Sequence, residues 1–160
     1  MTNNDILRRI RFTFNFNDIK MVAIFALADH EVSKDQVSQW LKKDDDPAYQ
    51  SLNDRQMAIF LNGLISEKRG KKDGPAQAPE DKLNNNIILM KLKIALNLQA
   101  DDIITLLNSV YLRVGKPELS AFFRRPGHKH FRECKDQILR NFLNAVQIKY
   151  RGEMSKPSAS

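Results

Sequence analysis

The stretch DRQMAIFLNGLISEKRG at residues 54–70 returns 82 positions later as DQILRNFLNAVQIKYRG at residues 136–152. Both versions begin with Asp, carry Phe-Leu-Asn in the middle and end in Arg-Gly. The match continues towards the N-terminus without a gap, so residues 3–70 align with residues 85–152 and share fourteen identities. Because the apolar positions also agree, and the period is too long for a solenoid, we interpret the chain as one unit present twice.

Each repeat contains four segments with the apolar periodicity of an amphipathic helix. The fourth segment ends in a glycine after basic residues, which is typical of a helix C-terminus. The third opens with Ser33 and Gln36 in the first repeat, which predicts a capping box, and with Pro117 in the second, which a first helical turn tolerates. No segment alternates as a strand does. We therefore predict an all-α fold of two homologous four-helix modules, packed as a pair of helical bundles.

Asparagines recur at equivalent positions of the two repeats. Asn3-Asn4 and Asn85-Asn86 precede the first apolar stripe of each repeat, and we expect them to cap that helix. Asn62 and Asn144 lie beside core positions of the fourth segment, where we expect them to hydrogen-bond across the bundle.

Composition places the boundaries between the repeats. Residues 71–83 combine glycine, two prolines and charges with few apolar residues, as linkers do. The last residues are polar and include a proline, which predicts a disordered tail. We therefore predict repeats at 1–70 and 84–152, a linker at 71–83 and a tail at 153–160.

The overall composition indicates a globular protein, since 42% of the residues are apolar and 28% are charged. No apolar run is long enough to span a membrane and no signal peptide is evident, so we expect a cytoplasmic protein with no membrane partner. The single cysteine, Cys134, cannot form an internal disulfide, and we expect it to be a buried small residue.

The net charge of +7 lies in the second repeat. Residues 1–70 carry ten basic and ten acidic side chains, whereas residues 84–152 carry twelve basic and five acidic ones. The contrast is strongest after the third helical segment, where one connection is acidic and the other, the basic connection of residues 124–135, is rich in arginine. Guanidinium groups bind phosphate oxygens, and an interleaved aromatic ring can stack on a base. The candidate nucleic-acid or polyanion site comprises Arg124, Arg125, His128, Lys129, His130, Phe131, Arg132 and Lys135.

A second interpretation explains the same charges. The basic connection is either solvated or pairs with Asp44, Asp45 and Asp46 of the first repeat, in the same or a neighbouring chain. In the latter case the protein is an adaptor for another protein, or a homodimer held by complementary loops.

Other functional motifs are weak or missing. The second and third helical segments are arranged like a helix-turn-helix, but the turn carries Glu31 or Arg113 where glycine is usual. His128 and His130 lack further ligands for a metal. The sequence contains no phosphate-binding loop, nucleophile elbow or catalytic triad pattern. We therefore expect no enzymatic activity, cofactor or metal.

Four stretches also carry a family resemblance. Residues 3–12 (NNDILRRIRF) and 85–93 (NNIILMKLK), together with 37–43 (VSQWLKK) and 119–124 (LSAFFR), resemble the YehS-like bacterial proteins. That family has a duplicated domain of unknown function, and the resemblance covers the chain outside the linker and tail. It implies a bacterial cytosolic protein, and it implies no particular activity, cofactor or catalytic residue.

Overall fold

The computed structural model describes residues 1–152, and the predicted tail at 153–160 lies outside them. Within residues 1–152 the chain forms eight α-helices and no strand. The prediction of an all-α fold built from two four-helix modules is confirmed. The helices are α1 (Asn3–Phe14), α2 (Asp18–Leu27), α3 (Lys34–Leu41), α4 (Asp54–Arg69), α5 (Asn85–Ala95), α6 (Ala100–Ser109), α7 (Lys116–Phe122) and α8 (Asp136–Arg151).

The predicted helix signals act where they were expected. At the start of α3 the Gln36 backbone N–H donates to the Ser33 hydroxyl oxygen at 3.1 Å, and the Ser33 N–H donates to the Gln36 side chain at 2.9 Å. This reciprocal pair is the capping box. Helices α4 and α8 end at Gly70 and Gly152, whose φ angles of 91° and 83° suit glycine.

The expectation that the Asn pairs cap the first helix of each repeat is wrong. The caps are the preceding residues, Thr2 for α1 and Asn84 for α5, whose side chains accept the backbone N–H groups of Asp5 and Ile87. Asn4 and Asn86 instead lie one position inside the helix, where their side chains are buried. From this position the two side chains extend into the bundle and do not cap the helix.

The buried Asn86 fixes the connection between α7 and α8. Its side-chain amide donates to the carbonyl oxygens of Phe122 and Arg132 at 3.0 and 2.8 Å, and its side-chain oxygen accepts from the Cys134 N–H at 2.9 Å. In the first repeat Asn4 makes the same three bonds, at 2.9, 2.8 and 3.0 Å, to Trp40, Gln50 and Leu52. The same backbone bonds therefore hold the connection before the fourth helix in both repeats.

The two repeats pack against each other through α1, α4, α5 and α8. Helix α1 packs on α8, and helix α5 packs on α4. These two contacts are equivalent, because the 82-residue offset relates α1 to α5 and α4 to α8. Between α1 and α8, Arg9 donates to the side-chain oxygen of Asn144. Between α5 and α4, Lys91 donates to the side-chain oxygen of Asn62 at 2.6 Å. The expectation that Asn62 and Asn144 hydrogen-bond across the bundle is confirmed, and in both cases the bond joins the two repeats.

The predicted linker, residues 71–83, is not helical and follows the surface of the first repeat. Asp29 accepts from the backbone N–H of Ala76 at 3.1 Å and pairs with Lys71 at 3.2 Å. Near its end, the Leu83 N–H donates to Asp54 at 2.9 Å. The segment is therefore attached at both ends.

Cys134 is buried, as expected, with 1% of its surface exposed. The helices in the described part of the chain are all too short or too polar to cross a bilayer. Residues 28–33 and 110–115 join the second and third helices of each repeat. Each of these connections spans six residues, against about three to four in the turn of a DNA-binding helix-turn-helix.

Candidate polyanion-binding groove

Part of the basic connection lines an open groove beside α7. Of the eight candidate residues, Arg124, Lys129, His130 and Arg132 are exposed along this groove, and Phe131 is half-buried in its wall. The structure thus brings three full positive charges and one aromatic ring together. We call this surface the basic groove.

Three candidates do not line the basic groove. Arg125 is exposed outside it. Lys135 is the residue before α8 and pairs with Glu133 at 3.2 Å. His128 is half-buried within the turn itself. These three residues therefore belong to the basic connection in sequence but do not line the groove.

His128 holds the turn of the basic connection. Its ring Nδ1 accepts the backbone N–H of His130 at 3.0 Å. In the first repeat Asp46 makes the matching bond, since its Oδ1 accepts the N–H of Ala48 at 2.8 Å. A side chain that accepts from the residue two positions later is a recurrent turn device. His128 therefore has a structural role that its pairing with His130 in sequence did not reveal.

Sequence reasoning missed the part of the groove that α7 supplies. Glu118, Ser120 and Ala121 form its other wall, and the Glu118 carboxylate pairs with Arg132 at 3.2 Å. Glu118 is fourteen residues away from its partner. Only helical spacing from the buried Leu119 and Phe122 could have indicated which side of α7 faces the connection.

The first repeat has the same backbone arrangement without this charge. The positions equivalent to Arg124, Lys129, His130, Phe131 and Arg132 are Lys42, Pro47, Ala48, Tyr49 and Gln50. One of the five is charged there, against three in the second repeat. Because the asparagine bonds to both connections are the same, the fold does not require the extra cations.

The acidic connection, residues 42–49, is not paired with the basic connection. Asp44 and Asp45 are exposed, and Asp46 is engaged in its own turn. Among the ion pairs of residues 1–152, none joins Asp44, Asp45 or Asp46 to the basic connection. Pairing of the two connections within one chain is therefore not part of this structure.

Comparison with known proteins gives a family and no activity. A family described as a protein of unknown function, DUF1456, matches twice, at residues 3–70 and 85–152. The chain is also 46% identical over 147 residues to the uncharacterized protein YehS of Escherichia coli (strain K12), an alignment that covers 91% of this chain and 94% of that protein. No solved structure matches.

Proposed function

The chain belongs to the DUF1456 family, and from that premise we propose that it is a non-enzymatic binding protein whose basic groove engages nucleic acid in the cytoplasm. The observation that carries the proposal is the convergence of Arg124, Lys129 and Arg132 around Phe131. The equivalent surface of the first repeat lacks this combination although its backbone is held by the same bonds. Since the fold does not require these positive charges, they are available to bind a ligand.

The chemistry of the groove suits a single strand. Arginine forks bind phosphate oxygens, and an aromatic side chain offers a face on which a base can stack. Phe131 is half-buried in the groove wall, so part of its side chain stays accessible to a base. With three phosphate contacts, a plot of the logarithm of the association constant against the logarithm of the salt concentration has a slope of about −2.

Glu118 tests the electrostatic part of the proposal. Its carboxylate pairs with Arg132 and occupies the place that a phosphate would take. A bound strand has to displace this carboxylate, since like charges repel in the same groove. Glu118→Gln therefore strengthens binding several-fold, while loss of Phe131 through Phe131→Ala weakens it about tenfold.

The test of the site uses two matched double variants. Arg124→Ala with Lys129→Ala removes two charges from the groove, whereas Arg125→Ala with Lys135→Ala removes two charges from the same connection outside it. Fluorescence anisotropy of a labelled single-stranded oligonucleotide, measured over a series of salt concentrations, gives the affinity of each. The first variant loses affinity more strongly and has a shallower salt slope. Equal losses would contradict the groove as the site, and a wild-type affinity insensitive to salt would contradict the function.

A second candidate function is self-association through the charged connections. Asp44 and Asp45 are exposed and carry no described ion pair, so they are available to the basic connection of a neighbouring chain. Light scattering at low and high salt measures the mass. Under this alternative, Asp45→Lys alone dissociates the dimer, and combining it with Arg124→Glu restores it.

A further inference from the structure

A small cavity lies between the two repeats, away from the basic groove. Met1, helix α1, helix α8 and Lys43 line it, and its volume is about 230 Å³. That is below the range of about 300–1,000 Å³ in which drug-sized ligands bind. Its charged lining is mostly basic. We call it the interrepeat cavity, and the side chains that matter for its chemistry are Asp5, Arg8, Arg9, Lys43, Arg140 and Leu143.

The charges of the interrepeat cavity do not cancel. Asp5 pairs with Arg8 at 2.5 Å, and Arg8 also donates to the Lys42 carbonyl at 3.0 Å, so this pair is satisfied. Among the ion pairs of residues 1–152, none involves Arg9, Lys43 or Arg140. Asp5 and Asp136 act on Arg9 and Arg140 only at longer range, so positive charge remains in excess in the lining.

Arg9 is the deepest of these cations. Its guanidinium is half-buried and donates to the side-chain oxygen of Asn144, which is neutral. Burial lowers the pKa of Arg9, with the charge of Asp5 acting in the opposite direction. A cation that has lost part of its water and forms no close ion pair is costly, and an anion placed beside it reduces that cost.

The other half of the molecule already holds such an anion. The 82-residue offset relates Arg9 to Lys91 and Asn144 to Asn62. Lys91 is 6% exposed at its side chain and donates to Asn62, like Arg9 to Asn144, but it also lies 3.1 Å from a carboxylate oxygen of Glu80. Glu80 comes from the linker, and no described carboxylate takes that place beside Arg9.

We propose that the interrepeat cavity binds the oxyanion group of a small molecule, a phosphate or a carboxylate, against Arg9, Lys43 and Arg140. The Glu80 carboxylate beside Lys91 is the internal example of the same interaction. Leu143 supplies an apolar wall for the organic part of the ligand. The small volume suits an oxyanion group with a short organic part.

The experiment titrates the full chain with inorganic phosphate and, separately, with acetate, at constant ionic strength kept with chloride. Two-dimensional NMR follows the arginine side-chain N–H signals and the Asn144 amide. One molecule of phosphate or acetate per chain shifts these signals with saturation. Phosphate binding identifies a phosphorylated ligand, whereas acetate binding alone identifies a carboxylate.

Two variants and a control locate the site. Arg140→Gln removes an exposed charge from the rim, and Arg9→Gln keeps a donor for Asn144 while removing the charge. Each weakens binding about tenfold, the worth of one charged hydrogen bond. Arg113→Gln, which removes an exposed charge elsewhere in the second repeat, leaves binding unchanged. Affinity that is the same in all three variants, or no saturable binding in the wild type, would overturn the proposal.

The outcome is independent of the proposed nucleic-acid function. The cavity variants leave oligonucleotide affinity unchanged, because Arg9 and Arg140 do not line the basic groove. The Arg124 and Lys129 variants leave the phosphate titration unchanged for the same reason. Loss of both activities in a cavity variant would contradict the existence of a separate site.

Discussion

The ammonium group of Lys91 lies 2.6 Å from the side-chain oxygen of Asn62, and this hydrogen bond connects the second repeat to the first. The lysine side chain is 6% exposed, and its charge is balanced by Glu80 of the linker. A buried ammonium needs every partner it has, since water does not replace a lost one. The contact between the repeats therefore depends on this residue pair as well as on apolar packing.

Replacing Asn62 tests that dependence. Asn62→Ala removes an acceptor from the buried Lys91 and lowers the free energy of unfolding by about 2 kcal/mol. Asn108→Ala, at an exposed position of α6, changes it by less than about 0.5 kcal/mol. Urea unfolding measures both values. Equal effects of the two substitutions would show that the cross-repeat bond contributes nothing.

Gly63 is a point of close approach between α2 and α4. A Cβ added there would lie 2.0 Å from the backbone oxygen of Ile24, which cannot move aside as a flexible side chain can. Gly63→Ala therefore lowers the free energy of unfolding by about 3 kcal/mol. The equivalent residue of the second repeat is Ala145, and Ala145→Gly costs about 1 kcal/mol. Chemical unfolding that ranks the two substitutions in the reverse order would contradict the clash.

Tyr111 has an unfavourable backbone conformation. Its φ is 64°, in the left-handed region, and its side chain is 98% exposed, so little packing compensates for the strain. Tyr111→Gly raises the free energy of unfolding by about 1 kcal/mol, because glycine adopts this conformation without a Cβ contact. Tyr111→Val lowers it, since a β-branched residue fits the region worse. Thermal and urea unfolding should agree on these opposite signs.

Because of Cys134, the free energy of unfolding decreases at alkaline pH. Burial raises the pKa of its thiol from about 9 to about 12. The folded protein thus keeps a proton that the unfolded chain releases above pH 9, so this contribution is complete below pH 9 and is lost as the pH rises towards 12. Between pH 7 and pH 10 the wild type loses about 1 kcal/mol more than Cys134→Ala does. Urea unfolding at both pH values measures the difference, and a constant difference would refute the assignment.

The helices and some of their caps were predictable because they depend on neighbouring residues. Ser33 caps α3 through a residue three positions away, and Gly70 ends α4 at its own position. The role of Asn86 was not predictable in this way, since its partners lie 36 to 48 positions along the chain. An asparagine near a helix start is equally typical of a cap, so the local pattern favoured the wrong interpretation.

The basic groove was predictable in part. Its cations are close together in sequence, so Arg124, Lys129 and Arg132 were found, and Arg125 and Lys135 were included although they do not line it. Glu118 was missed because it reaches the groove from α7. The interrepeat cavity was not predicted at all, since Arg9 and Arg140 lie on helices from opposite ends of the chain.

The sequence by itself determined the duplication, the all-helical class and the location of the excess positive charge, because identity at a fixed offset, helical periodicity and charge are properties of the chain read in order. Only the tertiary structure decided which charges converge and which are paired. Arg9 meets Asn144 through the packing of α1 on α8, 135 positions apart, and Lys91 meets Glu80 through the path of the linker. Such contacts depend on how whole helices pack, and local sequence patterns carry no record of that geometry.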